Sequence, residues 1–122
     1  MSKPKTIMID DIEYVRKDSI QEKAVNVEGL KYCLIRCSRS GVFAGYLKSR
    51  VKQEGVILSA RRIWYWTGAA SISQLAVEGT SSPDSCKFPC IVDILEVTDI
   101  LEVIPCTIIA QRSIEEVSIW KQ

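Results

Sequence analysis

The sequence predicts an α+β fold: an antiparallel β-sheet built as a meander, with one or two short helices on it and an N-terminal β-hairpin as an appendage. Three observations point there. Three β-rich runs between residues 31 and 66 are separated only by short polar turns. One later run carries apolar residues at helical spacing and ends in glycine. A further apolar, β-branched run is broken near Thr98-Asp99.

In chain order, residues 6–16 alternate as a hairpin, with Ile7 and Ile9 before the Asp10-Asp11 turn and Ile12, Tyr14 and Arg16 after it. Residues 17–29 are polar and irregular and read as a loop or linker. Residues 31–38 form a strand with Tyr32, Leu34 and Arg36 on one face and Cys33, Ile35 and Cys37 on the other. Ser38-Arg39-Ser40-Gly41 turns into a strand over 42–51, and Gln53-Glu54-Gly55 turns into a third over 56–66. Thr67-Gly68 breaks that strand. Residues 69–78 then read as a helix, with Ile72, Leu75 and Ala76 on one side and Gly79 as its stop. Residues 80–89 form a Ser/Pro-rich loop, and 90–104 one or two strands. Thr107 is placed to cap a helix over 108–116, and 117–120 read as a last short strand. The whole is a single domain over 1–122, with residues 1–22 as the hairpin extension and 30–122 as the core.

The totals narrow the function classes. At 122 residues, 47% apolar and 25% charged, the chain has ordinary globular composition and enough length for its own core. A formal net charge of +1 gives no bulk attraction to duplex nucleic acid or to a membrane. No apolar run has the length of a membrane span, and no signal-peptide core follows Met1-Ser2-Lys3-Pro4-Lys5, so the expected location is the cytoplasm. Five cysteines, an odd number set in apolar segments, fit reduced thiols better than a disulfide framework. The chain has no histidine. That removes Ser-His and Cys-His nucleophile pairs, a histidine base and histidine metal ligands. The expectation is a binding protein without catalytic residues or cofactor.

The most distinctive segment is Ala60-Arg61-Arg62-Ile63-Trp64-Tyr65-Trp66-Thr67-Gly68-Ala69-Ala70-Ser71. On a strand, Arg62, Trp64 and Trp66 share one face, and Arg61, Ile63 and Tyr65 the other. Indoles beside a guanidinium can stack a base and pair a phosphate. The following helix start, Gly68 to Ser71, carries no bulky side chain and offers free backbone N–H groups to an anion. A packed core would use the same alternation of aromatic residues, with the glycine serving only the turn. Arg39, Ser40 and Gly41 form a second feature: two hydroxyls of the turn (Ser38 and Ser40), a guanidinium and a permissive glycine can wrap an anion. The expected ligand-binding set is therefore Arg39, Ser40, Gly41, Arg61, Arg62, Trp64, Trp66, Gly68, Ala69, Ala70 and Ser71.

Two other patterns are weaker. Cys33/Cys37 and Cys86/Cys90 have a zinc-like spacing, but the first pair lies in a strand pattern and the second lacks a knuckle glycine, so buried thiols are expected and no metal. Asp93, Glu96, Asp99 and Glu102 recur every third residue and read as the solvated face of an edge strand rather than as acid–base machinery.

Gly41-Val42-Phe43-Ala44-Gly45-Tyr46-Leu47, the run from Ala60 to Ser71, Gln74-Leu75-Ala76-Val77-Glu78-Gly79 and Cys86-Lys87-Phe88-Pro89-Cys90-Ile91-Val92 together resemble a family of small phage proteins of largely unknown function. The resemblance implies phage origin and a place in the infected bacterial cytoplasm. It is also similar to phage anti-defence sponges, of the kind that counter CBASS or Thoeris systems by sequestering their nucleotide signals. That similarity implies a cyclic dinucleotide or cyclic ADP-ribose-like ligand, held without cleavage. The alternatives are a phage accessory or host-takeover protein that binds a protein partner, and a metal-dependent phosphodiesterase. Exposed sheet edges predict a homo-oligomer, a dimer or tetramer, with residues 90–104 at the interface.

Overall fold

The computed structural model describes Ala24 and residues 28–122; the expected hairpin of residues 6–16 lies outside the described residues. The fold is α+β. Five strands, β1 (Tyr32–Cys37), β2 (Val42–Val51), β3 (Glu54–Arg62), β4 (Ile91–Val97) and β5 (Ile100–Pro105), form one antiparallel sheet in the order β4-β3-β2-β1-β5. Helix α1 (Ile72–Glu78) and a short 3-10 turn (Pro83–Ser85) fall between β3 and β4, and α2 (Ile108–Glu116) follows β5. The meander over β1–β3 and the break between β4 and β5 follow the sequence pattern.

The sheet is rolled. β4 and β5 are its two edges, yet only Thr98 and Asp99 separate them in the chain. In a flat sheet the edges would stand roughly 19 Å apart, four intervals of about 4.8 Å. Three Cα steps reach about 11 Å at most. The edges therefore meet at the Thr98-Asp99 end, and Ile100 of β5 donates its N–H to Gln53 O at the tip of the β2–β3 hairpin (3.0 Å). Gly55 on β3 makes room for this: a Cβ there would lie 2.7 Å from Ile100 Cδ1, although β3 and β5 are not neighbours in the sheet. Register shifts in the β2–β3 ladder, and another at Arg36/Cys37, add the local twist that rolling needs.

Rolling gives the sheet two buried faces. The inner face packs Cys33, Ile35, Cys37, Phe43, Ile57, Ala60, Val97 and Ile100. The outer face, with Tyr32, Leu34, Ala44 and Ile63, is covered by the helices through Leu75, Ala76, Ala110 and Ile114. The alternation expected for β1 holds, but both sets are buried, which is why its apolar pattern is nearly continuous. The helices start and stop on caps. Ser71 Oγ accepts from Gln74 N (3.2 Å) at the start of α1, and Thr107 Oγ1 accepts from Ala110 N (3.1 Å) at the start of α2. The first helix begins at Ile72 rather than residue 69, because Gly68 to Ser71 are used in the approach to the cap. The third strand ends at Arg62 rather than residue 66; beyond it Tyr65 forms only an isolated bridge to Lys87. The tail over 117–120 reduces to a single parallel bridge between Phe88 and Ile119. No helix among the described residues is long and apolar enough to cross a membrane.

Candidate functional site

The two arginines of the Arg-Arg-Ile-Trp-Tyr-Trp run part company because neighbours on a strand face opposite ways. Arg61 points to the outer face and is buried, 2% exposed. Its Nε donates to Pro89 O (2.9 Å), Nη1 to Ile114 O (2.9 Å), and Nη2 to Phe88 O (3.1 Å) and Val117 O (2.7 Å). Ile114 and Val117 close α2, so the cation sits at the helix end where carbonyls are unpaired and the dipole favours positive charge. Burial pulls the Arg61 pKa down from its ordinary value. The residue is a strut joining β3, α2 and the 88–89 segment, and it leaves the expected ligand set because its donors are taken.

Arg62 faces the other way and is exposed. Its guanidinium lies 4.5 Å from the Phe43 ring centroid and donates to Ser40 O. It lines a cavity of about 190 Å³ with Phe43, Ala60, Pro89, Cys90, Val92 and Leu95, at the mouth of the rolled sheet. That volume is below the usual range for a whole drug-sized ligand and suits one flat ring or side chain.

The Ser38-Arg39-Ser40-Gly41 turn does wrap an anion, and the anion belongs to the chain. Asp99 Oδ2 accepts from Arg39 N (2.7 Å) and Ser40 N (2.9 Å), and Oδ1 accepts from Ser40 Oγ (2.8 Å). The Ser40 hydroxyl, then the backbone N–H groups, hold the Asp99 carboxyl down to about 2. Burial, and then the Asp99 charge, push the neighbouring Cys37 thiol up to about 11. Ser40 and Gly41 thus lie against Arg62, and the Arg39 N–H, the Ser40 N–H and the Ser40 hydroxyl are already taken by Asp99.

The start of α1 is closed in a similar way. Ala70 N donates to Gln74 Oε1 (2.7 Å), and Gln74 N is held by Ser71. Gly68, at φ +82, packs against the 80–82 loop, where a Cβ would lie 2.6 Å from Ser82 N; its carbonyl accepts from Ser81 N (3.1 Å). Gly68, Ala70 and Ser71 thus serve the strand–helix junction, with the Ala70 N–H and the Ser71 hydroxyl already engaged.

The tryptophans also divide. Trp66 is half-buried against the outer core rather than beside Trp64, because the chain leaves strand geometry after Arg62. Trp64 is 57% exposed and stacks on Trp120, with centroids 5.1 Å apart and planes 12° from parallel. The Lys87 ammonium lies 5.4 Å from the Trp64 ring, 5.6 Å from Trp120 and 6.0 Å from Tyr65, all within cation–π range. The Tyr65–Lys87 bridge and the bond from Trp120 N to Phe88 O (3.0 Å) hold these residues together. Lys87 and Trp120 are absent from the sequence-derived set. The available signal was Trp120 at the end of the apolar alternation Val117-Ser118-Ile119-Trp120, where a large aromatic must either pack or bind.

Cys33, Cys37, Cys86 and Cys106 are buried and Cys90 is exposed, and none is paired with another in a disulfide. Among the described residues, no group of three or more His, Cys, Asp or Glu side chains is placed to hold a metal ion. Asp93 and Glu96 are exposed on edge strand β4, and Glu102 on β5 pairs with Arg36 (Nε–Oε1 2.6 Å). Neither a curated protein nor a solved structure matches the chain. A family model described as a domain of unknown function, DUF6948, matches residues 30–114, and the chain belongs to that family.

Proposed function

We propose that the protein binds a nucleotide without transforming it, as a sponge for a cyclic dinucleotide or cyclic ADP-ribose-like signal. The observation that carries this reading is the exposed Trp64–Trp120 stack with the Lys87 ammonium against it. A nucleotide presents a flat base and a charged phosphate a few ångströms apart. An exposed indole serves the first, worth ~1–3 kcal/mol per stacked base, and Lys87 serves the second. The Arg62 cavity, lined also by Pro89 and Cys90 just beyond Lys87 in the chain, adds a ring-sized recess and a second cation. Arg62 and Trp64 are the members of the sequence-derived set retained in this site.

The test is a melting-temperature screen with cyclic dinucleotides, cyclic ADP-ribose and linear mononucleotides, followed by recovery of the ligand. A ligand bound only to the folded state raises the melting temperature, and chromatography after heating should return it intact. Trp64→Ala, Lys87→Ala and Arg62→Ala should each weaken binding roughly ten- to hundredfold while the protein stays folded. No shift with any member at millimolar concentration would refute the proposal.

The second reading is a protein partner. Trp64, Tyr65 and Ile119 are each about half exposed, and clustered aromatics of this kind anchor protein interfaces. A negative nucleotide screen together with retained folding of Trp64→Ala would favour that reading.

A further inference from the structure

The two edges of the sheet are treated differently by the sequence. On β5, the ladder to β1 carries a register shift at Arg36/Cys37, Glu102 is tied to Arg36, and the strand ends in Pro105. Bulges, charges and proline are the usual means of blunting an edge against further pairing. On β4, between Ile91 and Val97, there is neither a bulge nor a proline, and the only charges are the exposed carboxylates Asp93 and Glu96. The strand has no lysine, arginine or proline, and its ladder to β3 runs without a register shift. Ile91, Val92 and Ile94 are 50%, 43% and 62% exposed. Of its seven residues only Val97 is fully buried.

We propose that β4 pairs antiparallel with β4 of a second copy of this chain, about a two-fold axis at Ile94. The charges and the length of the strand together select this register. An axis at Leu95 also sets Asp93 and Glu96 opposite apolar residues (Val97 and Ile94), but it leaves Ile91 and Val92 without a partner in β4, whereas Ile94 is the middle of the seven residues. Directly opposed like charges destabilise a strand pair. Parallel in-register pairing sets Asp93 beside Asp93, and an antiparallel axis at Asp93 does the same. An axis between Ile94 and Leu95 sets Asp93 against Glu96. With the axis at Ile94, Asp93 lies opposite Leu95, Glu96 opposite Val92, and Ile91 opposite Val97, so every carboxylate faces an apolar residue. The same strand is thus its own complement, as a two-fold interface requires. An edge of seven residues is about 23 Å long, well short of the extent of a standard stable interface, so the association is weak and depends on concentration.

Sedimentation equilibrium from one to several hundred micromolar tests this. The expected result is an apparent mass that rises from 13.7 kDa toward twice that value. Ile94→Lys places two ammonium groups at the axis and should hold the protein at the monomer mass with an unchanged melting temperature. Ile109→Lys, at an equally exposed position on α2, should dimerise as the parent does. In a Cys90→Ser background, Ile94→Cys should cross-link to itself under mild oxidation, whereas Glu96→Cys should not, since its opposite residue is Val92. A monomer mass at every concentration overturns the proposal, as does a dimer that survives Ile94→Lys. A monomer whose β4 amides are already protected from hydrogen exchange would also overturn it, because the edge would then be covered from within the chain.

Discussion

Single side chains tie this fold together at points where charge meets backbone. Asp99 fixes the β1–β2 turn to the β4–β5 link through three hydrogen bonds to Arg39 and Ser40. Its folded pKa, about 2, lies below the ordinary carboxyl value of 3.8. Its contribution to stability is therefore complete above that ordinary value and is lost as pH falls from there through about 2. Acid unfolding followed by circular dichroism should show Asp99→Asn to be less stable at neutral pH and less sensitive to pH between those two values. Arg61 is the larger case. Removing it leaves Pro89 O and Val117 O without their donor, each costing ~1–3 kcal/mol. It also weakens the hold on Phe88 O and Ile114 O, which keep Trp120 N and Val117 N, and empties a buried side-chain site between β3 and α2. Since whole domains are stable by only about 5–15 kcal/mol, Arg61→Ala should unfold or nearly unfold the protein. Arg61→Lys, with a point-like ammonium in place of the planar fork, should rescue little. Urea denaturation reads both. An Arg61→Ala variant with near-parental stability would show that the strut does not carry the α2 end.

Among the elements, the helices depend on their termini more than on their length. Thr107 is buried and works twice: its Oγ1 accepts from Ala110 N and donates to Val77 O (2.7 Å) near the end of α1. Thr107→Ala should cost about 2 kcal/mol, at the upper end for a lost cap because a second bond goes with it. Thr107→Ser should recover most of that loss in the same denaturation experiment. Gly79 ends α1 at φ +79, where a Cβ would lie 2.3 Å from Ser113 Cβ on α2. Both the backbone angle and the approach of the two helices exclude a side chain, so Gly79→Ala should cost at least ~2 kcal/mol. The strands are specified more loosely. β4 is antiparallel to β3 with Ile91, Val92 and Ile94 exposed, and its outer edge is the one proposed above to pair with a second copy.

On the scale of the whole molecule, the rolled sheet divides the core in two and puts thiols in both parts. Cys33 and Cys37 lie on the inner face, and Cys86 and Cys106 on the helix side. Burial pushes the Cys106 thiol up to about 12, so its reactive thiolate is scarce at neutral pH. A thiol reagent such as DTNB should label the exposed Cys90 rapidly in the native protein and reach all five cysteines only on denaturation. Rapid native labelling of more than one thiol would mean that one of the two cores opens readily.

Much of the architecture was readable from the chain because local chemistry decides it. The β2 bounds, the 108–116 helix with its Thr107 cap, the Gly79 stop and the break at Thr98-Asp99 each rest on a few adjacent residues whose pattern has one easy solution. So did the side alternation of β1 and the separation of Arg61 from Arg62, since neighbours on a strand must face apart. What the sequence could not decide was which face meets what. Arg61 and Arg62 are equivalent as letters; only the placement of α2's C-terminus makes one a buried strut and leaves the other at a cavity mouth. The anion for the Ser38-Arg39-Ser40-Gly41 turn proved to be Asp99, some sixty positions away, because the sheet rolls and brings its edges together. Trp64 and Trp66 share a strand face only while the strand lasts, and it ends at Arg62; Trp64 then takes Trp120 as its partner from the far end of the chain. Propensity and alternation act over a few residues and fix the elements. Partners for charges and rings are chosen by packing across long sequence separations, and only the tertiary structure contains that choice.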